Sequence, residues 1–145
     1  MRIGLTVDAL APRRTGIGRY TLELARGLRA SESVHDLSYF RFGEWIANPE
    51  DFVQEEVVRR LRWPRKLRPY ISRRGFRGRL IHGTNFFLPD DAEHGIITVH
   101  DLSVLLHPET HPAERIRHFE SDFQRSLERA THIISDSNAV RDELI

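Results

Sequence analysis

Short apolar runs that end in glycine or a polar residue recur along the chain and limit the folds that it can adopt. They read RIGLTVD near the N-terminus, then RLIHG, GIITVHD and THIISD in the second half. Together they are rich in isoleucine, valine and threonine, and each is too short for a typical helix, so they predict strands. Continuous apolar runs of this length are typical of buried strands in a parallel sheet.

Segments of helical periodicity separate these runs. After Gly16 and Gly18, one face is outlined at intervals of three and four residues by Ile17, Tyr20, Thr21, Leu24, Ala25 and Leu28. After Pro112, a second face is outlined by Ile116, Phe119, Phe123, Leu127 and Ala130. A further helix is expected to begin near Ser137, a good N-cap residue. Strands that alternate with helices predict an α/β, Rossmann-like parallel sheet with helices on both faces.

The middle of the chain is basic. DLSYFRF predicts a second strand, and Pro49 opens a segment of helical spacing that we expect to end near Pro64. Ten lysine and arginine residues fall within residues 59–79, although the formal net charge of the chain is only +1. Prolines and glycines interrupt residues 64–79, which indicates a loop or a broken helix. Such a segment suits a solvated loop, a nucleic acid or anionic lipid headgroups.

The composition excludes several classes of protein. The chain has 145 residues, which is the size of one domain. A membrane-spanning helix needs about 20 consecutive apolar residues, and no apolar run in the sequence is that long. It has no cysteine, which excludes disulfides, thiolate metal sites and a cysteine nucleophile. The N-terminus lacks the features of a secretory signal, so we expect a cytoplasmic protein.

Ligands of parallel sheets bind beyond the carboxyl ends of the strands, so the residues that follow each run are the candidates for a site. They are residues 8–18, 83–87, 100–103 and 135–138. His100 directly follows IITV, and an imidazole there suits orienting a hydroxyl or shuttling a proton. Asp101 either holds the histidine ring or caps the next turn.

RTGIGRY places Gly16 and Gly18 at a helix start, where backbone N–H groups and the helix dipole favour a phosphate. The motif lacks the third glycine of the dinucleotide fingerprint and the Lys-Ser/Thr of a P-loop, so neither of those ligands is predicted. A tight turn and helix cap without any ligand is the alternative.

A metal site is not predicted. His107, Glu109 and His111 lie close together in the sequence. Pro108 and Pro112, however, disrupt the helix that would bring the two histidines to one metal ion.

Four stretches, in this order, are similar to those of a known family: TGIGRYTLELARGL, HGTNFFLP, TVHDLSVLLHPETHP and ATHIISDSNAVRDEL. With them the chain resembles the N-terminal half of enzymes of glycosyltransferase family 4, over nearly all of its length except residues 44–79. The resemblance implies the GT-B fold, in which two Rossmann-like domains face each other across a cleft. Residues 1–145 would form the N-terminal, acceptor-side domain.

The resemblance also implies a reaction. A sugar passes from a nucleotide-sugar donor to an acceptor with retention at the anomeric carbon, and no metal or other cofactor is required. TGIGRY and HDLS look most like bacterial mannosyl- or rhamnosyltransferases that build surface polysaccharides, so we expect GDP-mannose as donor and a glycan or lipid-linked acceptor. Residues 59–79 would then make a peripheral contact with the inner face of the cell membrane.

Individual residues take roles from the resemblance. Gly16 and Gly18 would lie in the loop that approaches the donor phosphates, and His100 matches the catalytic histidine that reaches the donor sugar. Acceptor contacts are expected from Arg19, Thr84, Asn85 and Asp101. Most of the nucleotide-binding surface of this family lies on a C-terminal domain, which we expect to be absent from this chain. The isolated chain is therefore expected to fold without turning over substrate.

Two other functions stay open. A non-catalytic nucleotide or sugar-phosphate binding module would use Gly16 and Gly18 and be indifferent to His100. A nucleic-acid-binding domain would use residues 59–79 and show a steep salt dependence. The aromatic residues of that segment form no recognised RNA-binding signature, so we expect no nucleic-acid partner.

Overall fold

The computed structural model describes residues 1–13, 15–53 and 73–145. In these ranges six strands form one sheet in the order β3-β2-β1-β4-β5-β6. They are β1 (Arg2–Thr6), β2 (Asp36–Arg41), β3 (Glu44–Ile46), β4 (Leu80–Gly83), β5 (Gly95–Val99) and β6 (Ala130–Ser135). Neighbouring strands are parallel except β2 and β3, which are antiparallel. The prediction of a Rossmann-like α/β sheet is confirmed.

Four helices lie wholly within the described ranges, together with two short 3-10 turns, and residues 73–76 are also helical. The helices are α1 (Gly16–Ala30), α2 (Ser103–Leu106), α3 (Ala113–Arg129) and α4 (Asn138–Glu143), and the 3-10 turns are Pro49–Phe52 and Pro108–Thr110. The predicted α3 follows Pro112, but Ala130 begins β6 and does not belong to its face. The predicted α4 begins after Ser137, whose hydroxyl accepts a hydrogen bond from the N–H of Val140 at 3.2 Å.

The two faces of the sheet carry separate cores. Leu5 packs with Leu22 of α1 on one face, and Leu22 is buried although it lies outside the predicted stripe of that helix. Residues next to each other in a strand point to opposite faces. In β4, His82 pairs with Leu5, so its neighbour Ile81 points to the other face. There Ile81 packs with Phe119 and Phe123 of α3. Helices therefore cover both faces, as the sequence predicts.

The β2–β3 hairpin is absent from the sequence prediction. Its turn uses Phe42 and Gly43, which have φ angles of 43° and 84°. The three residues of β3 are too few to show an alternating pattern, and Trp45 holds them in place by contacts with Phe40 and Phe76, at ring-centroid distances of 5.1 and 5.0 Å. Aromatic packing, rather than strand propensity, thus adds the edge strand.

The predicted helix after Pro49 is described only at its start, where residues 49–52 form a 3-10 turn. Its remainder, and residues 59–72 of the basic segment, lie outside the described residues. Among the helices that are described, none has the length and apolar character needed to cross a bilayer.

Candidate functional site

The order of the strands reverses at β1, because β2 lies on one side of it and β4 on the other. In sheets of this kind the loops after the two central strands separate, and the crevice between them receives the ligand. The loops after β1, β4, β5 and β6 all lie at this edge. Three of the predicted site residues, Thr84, Asn85 and His100, follow β4 and β5 there.

The imidazole of His100 is held from both sides at this edge. Its Nε2 lies 2.9 Å from the carbonyl oxygen of Thr84, and its Nδ1 lies 3.0 Å from Oδ2 of Asp136. The His100 side chain is only 9% exposed, whereas that of Asp136 is 46% exposed. The ring is therefore fixed, and the side with Nδ1 and Asp136 is the side that borders solvent.

Aromatic rings pack against the same imidazole. The ring of Tyr20, from α1, meets it edge-on with centroids 4.9 Å apart, and Phe86 meets it edge-on at 6.1 Å. The Tyr20 hydroxyl also lies 3.0 Å from Oγ1 of Thr98. Tyr20 was predicted as part of an apolar stripe, but its hydroxyl ties the start of α1 to β5 beside His100.

A buried histidine lies one strand away from this contact. Nε2 of His82 lies 2.8 Å from Oγ1 of Thr98, so Thr98 joins His82 to Tyr20. Burial lowers the pKa of His82 to about 4, and the ring is neutral at physiological pH. His82 thus supports the floor of the site and does not face the crevice.

Thr84 lies at the centre of a second buried network. Its hydroxyl donates to the carbonyl oxygen of Thr6 at 2.9 Å and accepts from the hydroxyl of Thr21 at 3.2 Å, while its N–H donates to Oγ1 of Thr6 at 3.0 Å. The residue is only 1% exposed. Its side chain is therefore used within the protein, and its carbonyl oxygen is the group that reaches His100.

The turn after β4, which begins at Thr84, contains a residue in a strained conformation. Phe86 has a φ angle of 63°, in the left-handed region that side chains other than glycine disfavour by about 1–2 kcal/mol. Its N–H donates to the carbonyl oxygen of Thr98 at 2.9 Å, and its ring is buried against Phe119 and Phe123. Gly83 permits the turn, because a Cβ there would lie 2.2 Å from the carbonyl oxygen of Phe87.

The two predicted phosphate-binding glycines differ in surroundings. The N–H of Gly18 donates to Oγ1 of Thr15 at 3.1 Å, which is the N-cap bond of α1. A Cβ on Gly18 would lie 2.8 Å from the carbonyl oxygen of Ala9, so close packing already requires glycine there. Gly16 is exposed, and a Cβ placed on it would meet no other group within 4 Å. Space for a ligand therefore lies at Gly16.

Asp101 bonds the turn that leads into the next helix. Its Oδ1 accepts hydrogen bonds from the N–H and the hydroxyl of Ser103, at 2.9 and 2.5 Å. Burial raises the pKa of Asp101, but these two bonds and the nearby His100 and His111 rings outweigh it, so the pKa lies below its ordinary value. The geometry matches the capping alternative, since the carboxylate bonds Ser103 and not the imidazole.

Two adjoining cavities open at the same edge and share Phe87 and Asp122. The smaller, of about 260 Å³, is lined among others by Asn85, Asp101 and Arg115. The Oδ1 atom of Asn85 is buried and has no hydrogen-bond partner within the described ranges. Asn85 thus retains a free acceptor beside a cavity, as a ligand contact requires.

The larger cavity, of about 440 Å³, is acidic and aromatic. Four carboxylates line it: Asp8, Asp90, Asp91 and Asp122. Asp8 accepts from the N–H of Phe42 at 2.6 Å, and burial raises its pKa despite that bond. Its position after β1 falls in the range that the sequence singles out, but no pattern distinguishes it from its neighbours.

Asp136 is a functional residue that the sequence does not single out. The range 135–138 is a candidate because it follows a strand, and Ser137 stands out there as an N-cap residue. Nothing local marks Asp136 as the partner of a histidine 36 residues earlier. The pairing of β5 with β6, which places Val99 opposite Ser135, supplies that information.

The other predicted features are dispersed. Nδ1 of His107 lies 3.7 Å from Glu109, whereas Nε2 of His111 lies 3.3 Å from Ser103. Across the described ranges, no three acidic, histidine or cysteine side chains converge as metal ligands. In the basic segment, Arg73 pairs with Asp91 at 2.8 Å and Arg79 with Asp36 at 2.7 Å.

The fold and the crevice define an α/β domain whose ligand would bind at the carboxyl edge of the sheet. In sequence the chain is similar to the O-antigen chain mannosyltransferase B of Escherichia coli, with 30% identity over 166 aligned positions. The alignment spans the whole chain but only 43% of the relative, so the chain corresponds to less than half of that protein's length. No protein-family model matches the chain, and no solved structure matches it.

Proposed function

We propose that the chain is the acceptor-side domain of a retaining glycosyltransferase of GT-B architecture that transfers mannose from GDP-mannose to a surface glycan. The observation that carries the proposal is the similarity to a mannosyltransferase over the full length of the chain. The Rossmann-like sheet and a histidine held at its carboxyl edge are what such a domain needs. A second domain would supply most of the nucleotide contacts.

His100 is the proposed catalytic residue. Its Nε2 is committed to the Thr84 carbonyl group, so the donor sugar would approach the side with Nδ1 and Asp136, which borders solvent. A sugar hydroxyl there can donate to the Asp136 carboxylate, which accepts more than one hydrogen bond. Such bonds orient the sugar and respond to charge that develops during transfer.

The start of α1 is the proposed site of the donor diphosphate. Its first turn contains no acidic residue and includes Arg19, which is exposed. Gly16 leaves open space in front of the helix, whose positive end favours an anion. This arrangement supports a reaction that uses no metal, because Arg19 and the helix offer positive charge to the phosphates.

The larger, acidic cavity is better suited to the glycan part of an acceptor than to a lipid phosphate. Carboxylates accept hydrogen bonds from sugar hydroxyls, and the faces of Phe42 and Phe87 offer apolar surface to a sugar ring. Asp91 pairs with Arg73 and Asp122 with Arg125, so Asp8 and Asp90 are the carboxylates that would repel a lipid phosphate placed beside them. We therefore propose a glycan end as the group bound near Asn85 and Asp101, and assign Thr84 to the support of His100.

The proposed location is the cytoplasmic face of the membrane. Arg74 and Arg77 are exposed in the part of the basic segment that is described, and exposed arginines are attracted to anionic headgroups. The phosphate of a lipid-linked acceptor would then lie towards the exposed arginines of this segment, which borders the acidic cavity through the Arg73–Asp91 pair.

A non-catalytic sugar-phosphate binding domain is the second candidate. It is favoured by one observation, namely that both nitrogens of His100 are already bonded to protein groups. In that case the imidazole would be a structural link, and the opening at Gly16 would be the functional feature.

The experiment is a transfer assay with the complete encoded polypeptide and a panel of GDP-, UDP- and dTDP-sugars. We expect activity with GDP-mannose, and we expect His100→Ala to lower kcat by about a hundredfold because it removes a group that acts on the transferred sugar. His94→Ala is the matched control, since His94 is exposed and lies outside the crevice. The chain of 145 residues alone should be inactive.

Equal activity of the two variants would contradict the role of His100. Consumption of no donor, combined with nucleotide binding that Gly16→Val abolishes, would favour the binding domain. Sugar transfer by the purified chain of 145 residues would refute the requirement for a second domain.

A further inference from the structure

We propose that Asp136 is the positioning residue of His100. Its carboxylate holds the imidazole in one orientation and favours a hydrogen on each of the two ring nitrogens. The contribution of this contact to sugar transfer rests on the proposed function. The contact itself rests on the geometry of the sheet edge and can be tested without any substrate.

The hydrogen-bond partners define the state of the ring. The carbonyl oxygen of Thr84 can only accept, so Nε2 must carry a hydrogen. An ionised Asp136 carboxylate can only accept as well, so Nδ1 must also carry one. Both bonds are satisfied together in the imidazolium form, whose charge the carboxylate balances.

The fold brings the two residues together. Val99 and Ser135 are paired in the parallel strands β5 and β6, so His100 and Asp136 leave adjacent strands at the same level. Ser137 then caps α4, which holds the backbone on the far side of Asp136. The carboxylate is thus placed by a strand before it and a helix after it, although its side chain borders solvent.

The other groups around the ring cannot replace this carboxylate. Tyr20 of α1 contributes the edge of a neutral ring, and its hydroxyl is engaged with Thr98. Phe86 contributes an apolar ring. Asp101 is the other nearby carboxylate, and it bonds Ser103. Among the described residues the charge that faces Nδ1 is therefore that of Asp136.

Two consequences follow for an imidazole held in this way. Loss of the carboxylate leaves the neutral form with hydrogen on Nε2, because the Thr84 carbonyl group still requires a donor. It also removes one of the two hydrogen bonds that fix the orientation of the ring. The variant Asp136→Asn should therefore change the protonation of the ring without removing the ring.

The test is ¹⁵N nuclear magnetic resonance of the His100 ring across a pH titration, on the chain of 145 residues. In the wild type we expect a hydrogen on both ring nitrogens over a wider range of pH than in Asp136→Asn. In Asp136→Asn we expect the ring to lose its second proton at a lower pH and to leave the hydrogen on Nε2. Asp142→Asn is the control, because Asp142 lies on α4 and pairs with its neighbour Arg141.

Asp136→Glu retains the carboxylate but places it one methylene group further from the backbone. It is the second variant to be measured, and it replaces Asp136→Asn if that variant does not fold. We expect it to restore part of the wild-type signal. The proposal is overturned if His100 titrates identically in the wild type and in a folded Asp136→Asn variant.

The catalytic consequence is measured on the complete encoded polypeptide. Asp136→Asn should lower kcat by about tenfold or more, with a smaller change in the KM for the donor, and should move the alkaline limb of the pH profile to lower pH. Asp136→Glu should recover part of kcat. An altered titration in a protein that transfers no sugar would sink the proposed function and leave the pairing intact, so the two failures are distinguishable.

Discussion

The two faces of the sheet beneath the site are held by different forces. Towards α1, buried polar groups form specific hydrogen bonds, as between Thr98 and both His82 and Tyr20. Towards α3, rings pack by shape, as among Phe86, Phe119 and Phe123. Hydrogen bonds are directional, whereas apolar burial contributes more free energy per residue. Both faces have apolar cores, but the larger cluster of buried apolar residues lies on the α3 face. The comparison indicates that this face contributes strongly to stability, whereas the polar contacts on the α1 face set the position of the His100 ring.

The largest expected effect tests the α3 face. Phe119 is 6% exposed, and its ring centroid lies 5.1 Å from those of Phe86 and Phe123. Phe119→Ala should lower the free energy of unfolding by about 3–5 kcal/mol, because it removes buried apolar area and leaves a cavity. Denaturant unfolding measures this loss. Leu106→Ala, at a side chain 51% exposed, is the control and should change stability by less than about 0.5 kcal/mol.

A loss below about 1 kcal/mol in Phe119→Ala would contradict the assignment of stability to this face. The strained turn at Phe86 depends on the same rings, so the variant should also disturb the signals of His100.

The second effect tests the α1 face by pH. His82 has a pKa of about 4 in the folded chain against an ordinary value of 6.5, so between these values the unfolded chain binds more protons. Stability is therefore lost as the pH falls through this window, by about 2 kcal/mol between pH 7 and pH 5 from this residue. Unfolding at a series of pH values should show a shallower slope in His82→Gln than in the wild type.

His94→Gln is the control for this slope, because His94 is exposed. Equal slopes in the wild type and in His82→Gln would mean that His82 takes up a proton in the folded state. The polar face would then tolerate a buried charge.

The smallest effect concerns the edge where the faces meet. Asp101→Ala removes the hydrogen bond that Oδ1 accepts from the N–H of Ser103 at the start of α2, which typically lowers the free energy of unfolding by about 0.5–1.5 kcal/mol. Thermal unfolding of Asp101→Ala measures this loss of stability. Glu93→Ala is the control, because Glu93 is exposed. A displaced His100 signal in Asp101→Ala would show that Asp101 also orients the imidazole, contrary to the geometry.

Much of the fold was predictable from local pattern. The runs that predict β1, β4, β5 and β6 each became a parallel strand, and the stretches after Gly16 and Pro112 became α1 and α3. These elements bury apolar residues at a regular period, which a sequence displays directly. The hairpin strand β3 and the four-residue α2 were not predictable, because neither is long enough to repeat a pattern.

The location of the candidate site was predictable from the sequence, but the roles of its individual residues were less so. The rule that ligands bind beyond parallel strands selected His100 and its neighbours, which the structure places at the edge of the crevice. The same rule treats Thr84 and Asn85 alike, yet Thr84 is buried in a threonine network and Asn85 lines a cavity. Side-chain direction in a strained turn separates them.

The sequence alone determined which segments become strands and helices and which residues follow the strand ends, because hydrophobic period and capping act over a few neighbouring residues. Only the tertiary structure decided which of those residues meet. His100 and Asp136 are 36 residues apart, and Tyr20 and Thr98 are 78 apart. Such contacts depend on strand order and register, which arise from the packing of the whole sheet against α1 and α3 and leave no mark on any short stretch of sequence.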